Sequence, residues 1–226
     1  MAFVWLALAP GLLVACQSTT PSAAPASSEV PMSGAPSHAI AATAGAPGSN
    51  PCLDGDVAGL GEARAAIDAT NLNEDSTIDA IEGLRFTEAG VAAAGQAFAA
   101  GVTGDALWAA TWIAASAGCV EPLVPLLTND DATIRVMAAA GLLGAGRSEG
   151  TPVLATLVDD ESDLRGATPP TTIGEFAVGT LGAYVDGPGI APDASIEAKA
   201  SAWAAWLKAN ITGLAFDAET GRWSAQ

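Results

Sequence analysis

The chain has 226 residues, half of them apolar, with 25 acidic residues against 8 basic ones and a net charge of −17. The length and apolar content suffice for one sizeable core. The charge excludes a nucleic-acid binder, which needs a basic stripe to neutralise phosphates. The acidity is read first as solubility, with a specific cationic partner as the alternative.

Met1 to Ala15 is an apolar run too short to span a bilayer, and it ends in Leu13, Val14, Ala15, Cys16. That tetrapeptide looks like a bacterial lipobox, although the usual Lys or Arg in the first few residues is missing. The resemblance implies a lipoprotein signal peptide over 1–15, cleavage before Cys16 and acylation of that cysteine. It thus implies a lipid anchor at the membrane of a bacterial cell envelope. Gln17 follows rather than Asp, which favours the outer membrane in a Gram-negative cell. The alternative is a plain secretory signal with an incidental cysteine.

Residues 16–51 are rich in Pro, Ala and Ser and carry one charge, Glu29. Such a segment cannot bury enough apolar surface to offset its ordering entropy, so it is expected to be a disordered tether with ends roughly 30–35 Å apart. The single histidine, His38, falls here. Residues 52–226 therefore lack the commonest general base and metal ligand, and any Ser-His or Cys-His relay with them. Cys52 and Cys119 bracket the first helices; in an exported protein two thiols more often pair than stay free, the alternative being two small buried hydrophobes.

Asn71, Asn73, Asp75, Thr77, Asp79 and Glu82 stand at positions 1, 3, 5, 7, 9 and 12 of a segment that resembles an EF-hand calcium loop. It departs from that pattern at Asn71, where Asp is usual, and at Ser76, where the sharp turn wants Gly. The resemblance implies calcium held by those six residues. The alternative is an N-capped helix with Ser76 as cap, Asp79 as its box partner, and Ile78, Ile81 and Leu84 facing the core.

Further on, seven positions recur thirty residues apart: Pro122, Leu123, Val124, Leu127, Asp130, Ile134 and Arg135 return as Pro152, Val153, Leu154, Leu157, Asp160, Leu164 and Arg165. A period in this range signals stacked helical units. Ile134, Met137, Ala138, Gly141, Leu142 and Ala145 form one helical stripe, with Gly144 and Gly146 as the stop. The unit resembles a HEAT repeat, in which an apolar helix runs through an Asp-containing turn into a second helix opening with an aliphatic-Arg pair. Here these are Asp130, Asp131, Ile134 and Arg135, then Asp160, Asp163, Leu164 and Arg165. Trp108 to Gly118 resembles Val136 to Gly146, which marks a degenerate unit upstream. The resemblance covers about 105–166. It implies a right-handed α-solenoid, protein binding and no catalytic residues, with Asp130, Arg135, Asp160 and Arg165 stabilising the repeats.

Pro169 and Pro170 end the run. Thr172 with Glu175 makes a capping box for a helix whose Ile173, Phe176, Ala177, Thr180, Leu181 and Tyr184 form one stripe. A last helix begins at Ser195 and carries Trp203, Trp206 and Leu207. Leu214 to Phe216 and Arg222 to Ser224 then flank a turn with Thr220 and Gly221, the pattern of a short hairpin. The late tryptophans are read as a cap closing the solenoid's end, against a recognition patch.

The expectation is an all-α, HEAT-like solenoid of stacked helix pairs over 52–226 with a small C-terminal cap, tethered to the envelope as a non-catalytic protein-binding or scaffold module. The rivals are a calcium-binding protein and a carboxylate-based enzyme. The latter needs two acids converging in a cleft with one carboxyl buried.

Overall fold

The computed structural model describes Cys52 and residues 57–226. The expected signal peptide and tether, with Cys16 and His38, lie outside the described residues.

The described chain is mostly helical. Its helices are α1 (Leu60–Asp68), α2 (Asp75–Leu84), α3 (Glu88–Ala99), α4 (Gly104–Ala117), α5 (Val120–Leu123), α6 (Ala132–Gly144), α7 (Gly150–Leu157), α8 (Ile173–Tyr184) and α9 (Ile196–Asn210). A small sheet adds β1 (Val185–Asp186), β2 (Leu214–Asp217) and β3 (Arg222–Ala225). Side-chain caps place several helix starts. Thr87 Oγ1 accepts from Gly90 N–H, Asp131 from Thr133 N–H and Ser195 from Ala198 N–H. At α8 the full box forms, Thr172 accepting from the Glu175 N–H while Glu175 accepts from the Thr172 N–H. These satisfy helix-start donors that would otherwise lack partners.

Even-numbered helices pack in succession, α2 on α4, α4 on α6 and α6 on α8, while α1 packs on α3 and α7 on α9. The middle of this succession is α6, which also touches α5 and α7. The expected stripe is one face of a helix that is buried on every side, since Val136, Ala139, Ala140 and Leu143 are buried as fully as Ile134 and Met137. Small residues make that possible. A Cβ on Gly141 would lie 2.7 Å from Ala115 Cβ of α4, and one on Gly150 would lie 2.2 Å from the Ala139 carbonyl oxygen. Both glycines are sites of direct backbone approach, which any larger residue would force apart.

Between α3 and α5 the packing is different. Pro122 falls inside α5 and Pro125 just after it, and the helix tightens into a 3-10 segment over Val124–Thr128, as expected where proline withholds an N–H. The shortened element leaves room that Cys52 and Cys119 fill. They form a disulfide with Cα atoms 5.9 Å apart, and they share a buried cluster with Ala114, Leu123, Ala138 and Leu142, against which Val91 and Phe98 of α3 pack.

Two expectations are corrected. Leu164 and Arg165 do not open a helix: residues 158–172 are irregular, Leu164 N–H donates to the Thr171 carbonyl at 2.9 Å, and the helix of this unit starts only at Ile173. Gly166 at φ 74° and the paired prolines stop helix propagation there. Ser76 is not a cap either, because α2 already begins at Asp75, with Glu74 preceding it. What organises this start is Thr77, whose hydroxyl donates to the Asn71 carbonyl at 2.6 Å and accepts the Asn71 N–H at 3.2 Å.

The hairpin forms with Phe216 opposite Trp223, and β3 also pairs in parallel with β1, directly after α8. Trp203 and Trp223 are buried, and Trp223 Nε1 donates to the Leu143 carbonyl at the end of α6, 3.2 Å away. Arg222 closes the end of α8, donating to the carbonyls of Ala183 and Val185 and to Asp186 Oδ1 at 2.6 Å. Burial pushes the Tyr184 phenol above its ordinary range, where Gly144 leaves room for its ring.

The disulfide closes a sequence separation of 67 residues, so by loop-closure entropy its loss costs about 4 kcal/mol. Unfolding of Cys52→Ser, Cys119→Ser and the double variant in denaturant is expected to show similar losses for all three. A double variant as stable as the wild type would refute this role.

Candidate functional site

The side chains that combine charge, aromatic character and long-range contact meet along the starts of α4 and α6 and the end of α2. Arg165 reaches them from the irregular 158–172 segment. Its Nη1 donates to Asp105 Oδ1 in the first turn of α4 at 3.2 Å, and its Nη2 pairs with Asp131 Oδ2, the cap of α6. The same two carboxylates hold backbone. Asp105 Oδ2 accepts the Leu72 N–H at 3.1 Å, and Asp131 Oδ1 accepts the Thr133 N–H at 2.9 Å. Acids placed at helix N-termini also complement the helix dipole. One guanidinium thus joins the loop before α2, α4, α6 and the approach to α8.

Trp108 of α4 continues the band, its Nε1 donating to the Arg165 carbonyl at 3.0 Å. Gly166 lies against its ring, since a Cβ there would stand 2.5 Å from Trp108 Cζ2. One turn on, Trp112 stacks with Trp108, centroids 6.2 Å apart and planes 16° from parallel. Arg85 follows, its guanidinium carbon 5.2 Å from the Trp112 ring centroid and 4.5 Å from that of Phe86. Arg85 is 5% exposed while Phe86 is 61% exposed. A cation held between ring faces is attracted by their quadrupoles, most strongly where water is excluded.

Glu82 fixes the cation from the side. Its Oε1 accepts the Trp112 Nε1–H at 2.7 Å, and its Oε2 lies 2.8 Å from Arg85 Nη1. That second contact is an ion pair by distance without hydrogen-bond alignment, and Arg85 Nε has no hydrogen-bond partner among the described residues. Charge contact and ring stacking, rather than a bidentate hydrogen bond, therefore hold the guanidinium.

The residues singled out from the sequence fall in different places. Arg165 bridges the starts of α4 and α6, whereas Arg135 turns back on its own turn, donating to the carbonyls of Asn129 at 2.7 Å and Asp130 at 3.0 Å. Asp130 contributes that carbonyl. Asp160 shapes its own loop, Oδ1 accepting the Ser162 N–H at 2.9 Å. Of the calcium-type segment, only Asn71 to Glu74 precede a helix. Asp75, Thr77, Asp79 and Glu82 lie along α2, Asn73 N–H donates to Asn71 Oδ1, and Glu82 is turned to Trp112 and Arg85. Among the described residues no three of Asp, Glu, His or Cys form a group that could hold a metal ion. Asp105 and Asp131 do converge, but on a guanidinium and with both partly exposed. Asp131 is part of the recurring turn, but the parts played by Asp105, Arg85 and Phe86 are not legible in the sequence, since nothing local signals contacts that span up to 60 residues.

No family model, curated protein or solved structure matches the chain.

The two repeat arginines should separate by experiment. Arg165→Ala removes two partly exposed ion pairs and loosens four elements, so it is expected to cost about 1–3 kcal/mol, with the loss reduced in high salt. Arg135→Ala removes two local bonds to carbonyls and is expected to cost about 1 kcal/mol or less. Denaturant midpoints at low and high salt measure both, and equal, salt-independent shifts would contradict the assignment.

Proposed function

We propose that this chain is a HEAT-like α-solenoid held at a bacterial cell envelope by lipid on Cys16 and a tether over 16–51, and that it serves as a non-catalytic protein-binding or scaffold module. The observation that carries this reading is the packing succession of α2, α4, α6 and α8, each helix start carrying an acid and Arg165 tying α4 to α6. Repeated units stacked in this way build an extended surface in place of a single converging centre. The hairpin, β1 and the buried Trp203 and Trp223 act as the cap on the last helices. Every arginine is engaged within the chain, by Asp68, Glu82, Glu149, Asp105 with Asp131, Asp186, or the carbonyls that hold Arg135. The charge offered to solvent is therefore anionic, which suits a partner surface of opposite sign.

One experiment on the full chain in its host tests anchor and binding together. A photo-crosslinking residue at the exposed positions Val124 and Phe216 is expected to give discrete crosslinked protein species in the membrane fraction. Cys16→Ala is expected to shift the chain out of that fraction and remove them. A diffuse or empty crosslinking pattern would reject the binding reading, and unchanged partitioning of Cys16→Ala would reject the anchor.

A further inference from the structure

We infer that the exposed face of Phe86 is the docking point for an arginine-bearing basic segment of a partner protein, an inference that rests on the protein-binding reading above and names its partner class. Trp108, Trp112, Arg85 and Phe86 form a stack in which each member lies over the next. The stack is buried at Trp108 and Arg85 and opens to solvent at Phe86, which is 61% exposed. A lone exposed aromatic needs no explanation in general. This one is different because Arg85 is stacked on its ring and the backbone on either side of it is bonded into the corner between two helices.

The corner between α2 and α3 leaves Phe86 little freedom. Thr87 N–H and Oγ1 both donate to the Leu84 carbonyl at 2.9 Å, and Thr87 Oγ1 accepts the Gly90 N–H at 3.0 Å. A Cβ on Gly90 would stand 2.1 Å from that same Leu84 oxygen, so the two helices meet backbone to backbone. Beneath the ring, Arg85 is locked by Glu82 and Trp112. An aromatic whose backbone is fixed in this way, with Arg85 already stacked on its ring, loses less entropy when a partner covers it, which is what binding hot spots exploit.

The surroundings select the occupant. Glu82 is one-third exposed, and the exposed Glu88 begins α3 two residues past Phe86. An apolar side chain seated here would gain nothing from a chain of net charge −17. A guanidinium would stack on the exposed ring, repeating the Arg85 arrangement one step outward, and would be drawn to the anionic surface. No arginine of this chain is spare to occupy the position, each having a partner elsewhere, so the segment comes from another protein.

The test titrates full-length chain against short fluorescein-labelled Gly-Ser-Arg repeat peptides and against counterparts with Lys, Gln or Glu in place of Arg, followed by fluorescence anisotropy. Expected is tightest binding by the Arg peptide, weaker by Lys and none by Gln or Glu, with affinity falling as salt rises. Phe86→Leu, which keeps apolar bulk but removes the ring, is expected to weaken the Arg peptide about two- to fivefold, and Phe86→Tyr to restore it. Circular dichroism melting of both variants confirms the fold. An Arg peptide that binds Phe86→Leu as well as wild type overturns the site while leaving protein binding intact. Preference for the Gln or Glu peptide overturns the partner class. Absence of binding by every peptide overturns the inference outright, and the crosslinking experiment then decides the broader reading separately.

Discussion

The contact of Arg165 with Asp105 and Asp131 is the constraint on which the described fold turns. Residues 158–172 have no helix of their own to place them, yet they connect α7 to α8 and lie against α4 and α6. A long irregular connection loses much conformational entropy on ordering, and a few polar anchors must offset that. Arg165 supplies them from both ends of its residue, the guanidinium bonding two helix starts and the carbonyl receiving the Trp108 indole. Exposed ion pairs taken singly contribute little. Here both carboxylates are already fixed by backbone N–H groups of other segments, so the guanidinium meets an organised site and loses less freedom in joining it.

Around that contact, α3, α4 and α6 meet through small residues as well as through large ones. Ala93, Ala94, Ala97, Ala109, Ala110, Ala138 and Ala139 are buried almost completely, and glycine occupies the points where helices touch. Such packing gives each residue little apolar area, and stability must come from many short contacts and from links that larger side chains would make unnecessary. The disulfide is one such link, set in the small buried cluster where α4, the short α5 and α6 meet.

Periodicity and capping were legible because they are local. The α6 stripe, the capping box of α8, the Ser195 start of α9 and the hairpin all appear at the expected residues. No helix forms at Leu164, because the backbone preferences of Gly166, Pro169 and Pro170 prevail over the recurrence of the aliphatic-Arg pair. The pairing of β1 with β3 and the capping of α8 by Arg222 join segments 36 or more residues apart, which no short window reveals. Arg85 was illegible for the same reason. Nothing in Leu84, Arg85, Phe86 says that the charged residue is buried and the aromatic one exposed; that inversion is imposed by Trp112 and Glu82, on another helix and one turn away.

Glu82 and the two repeat arginines make the same point about function. At position 12 of a calcium loop a glutamate reaches inward to an ion, but that geometry needs an open loop around it, and here α2 has already formed by Asp75. The carboxylate then lies on a helix face toward α4, where its natural counter-charge is a guanidinium and its natural donor an indole N–H. Arg135 and Arg165 occupy equivalent positions of the thirty-residue sequence recurrence, yet one closes its own turn and the other joins the starts of α4 and α6. The difference follows from what comes next in each copy, helix in the first and irregular chain in the second. Spacing specifies which chemistry is on offer; the secondary structure that forms around it decides what that chemistry is used for.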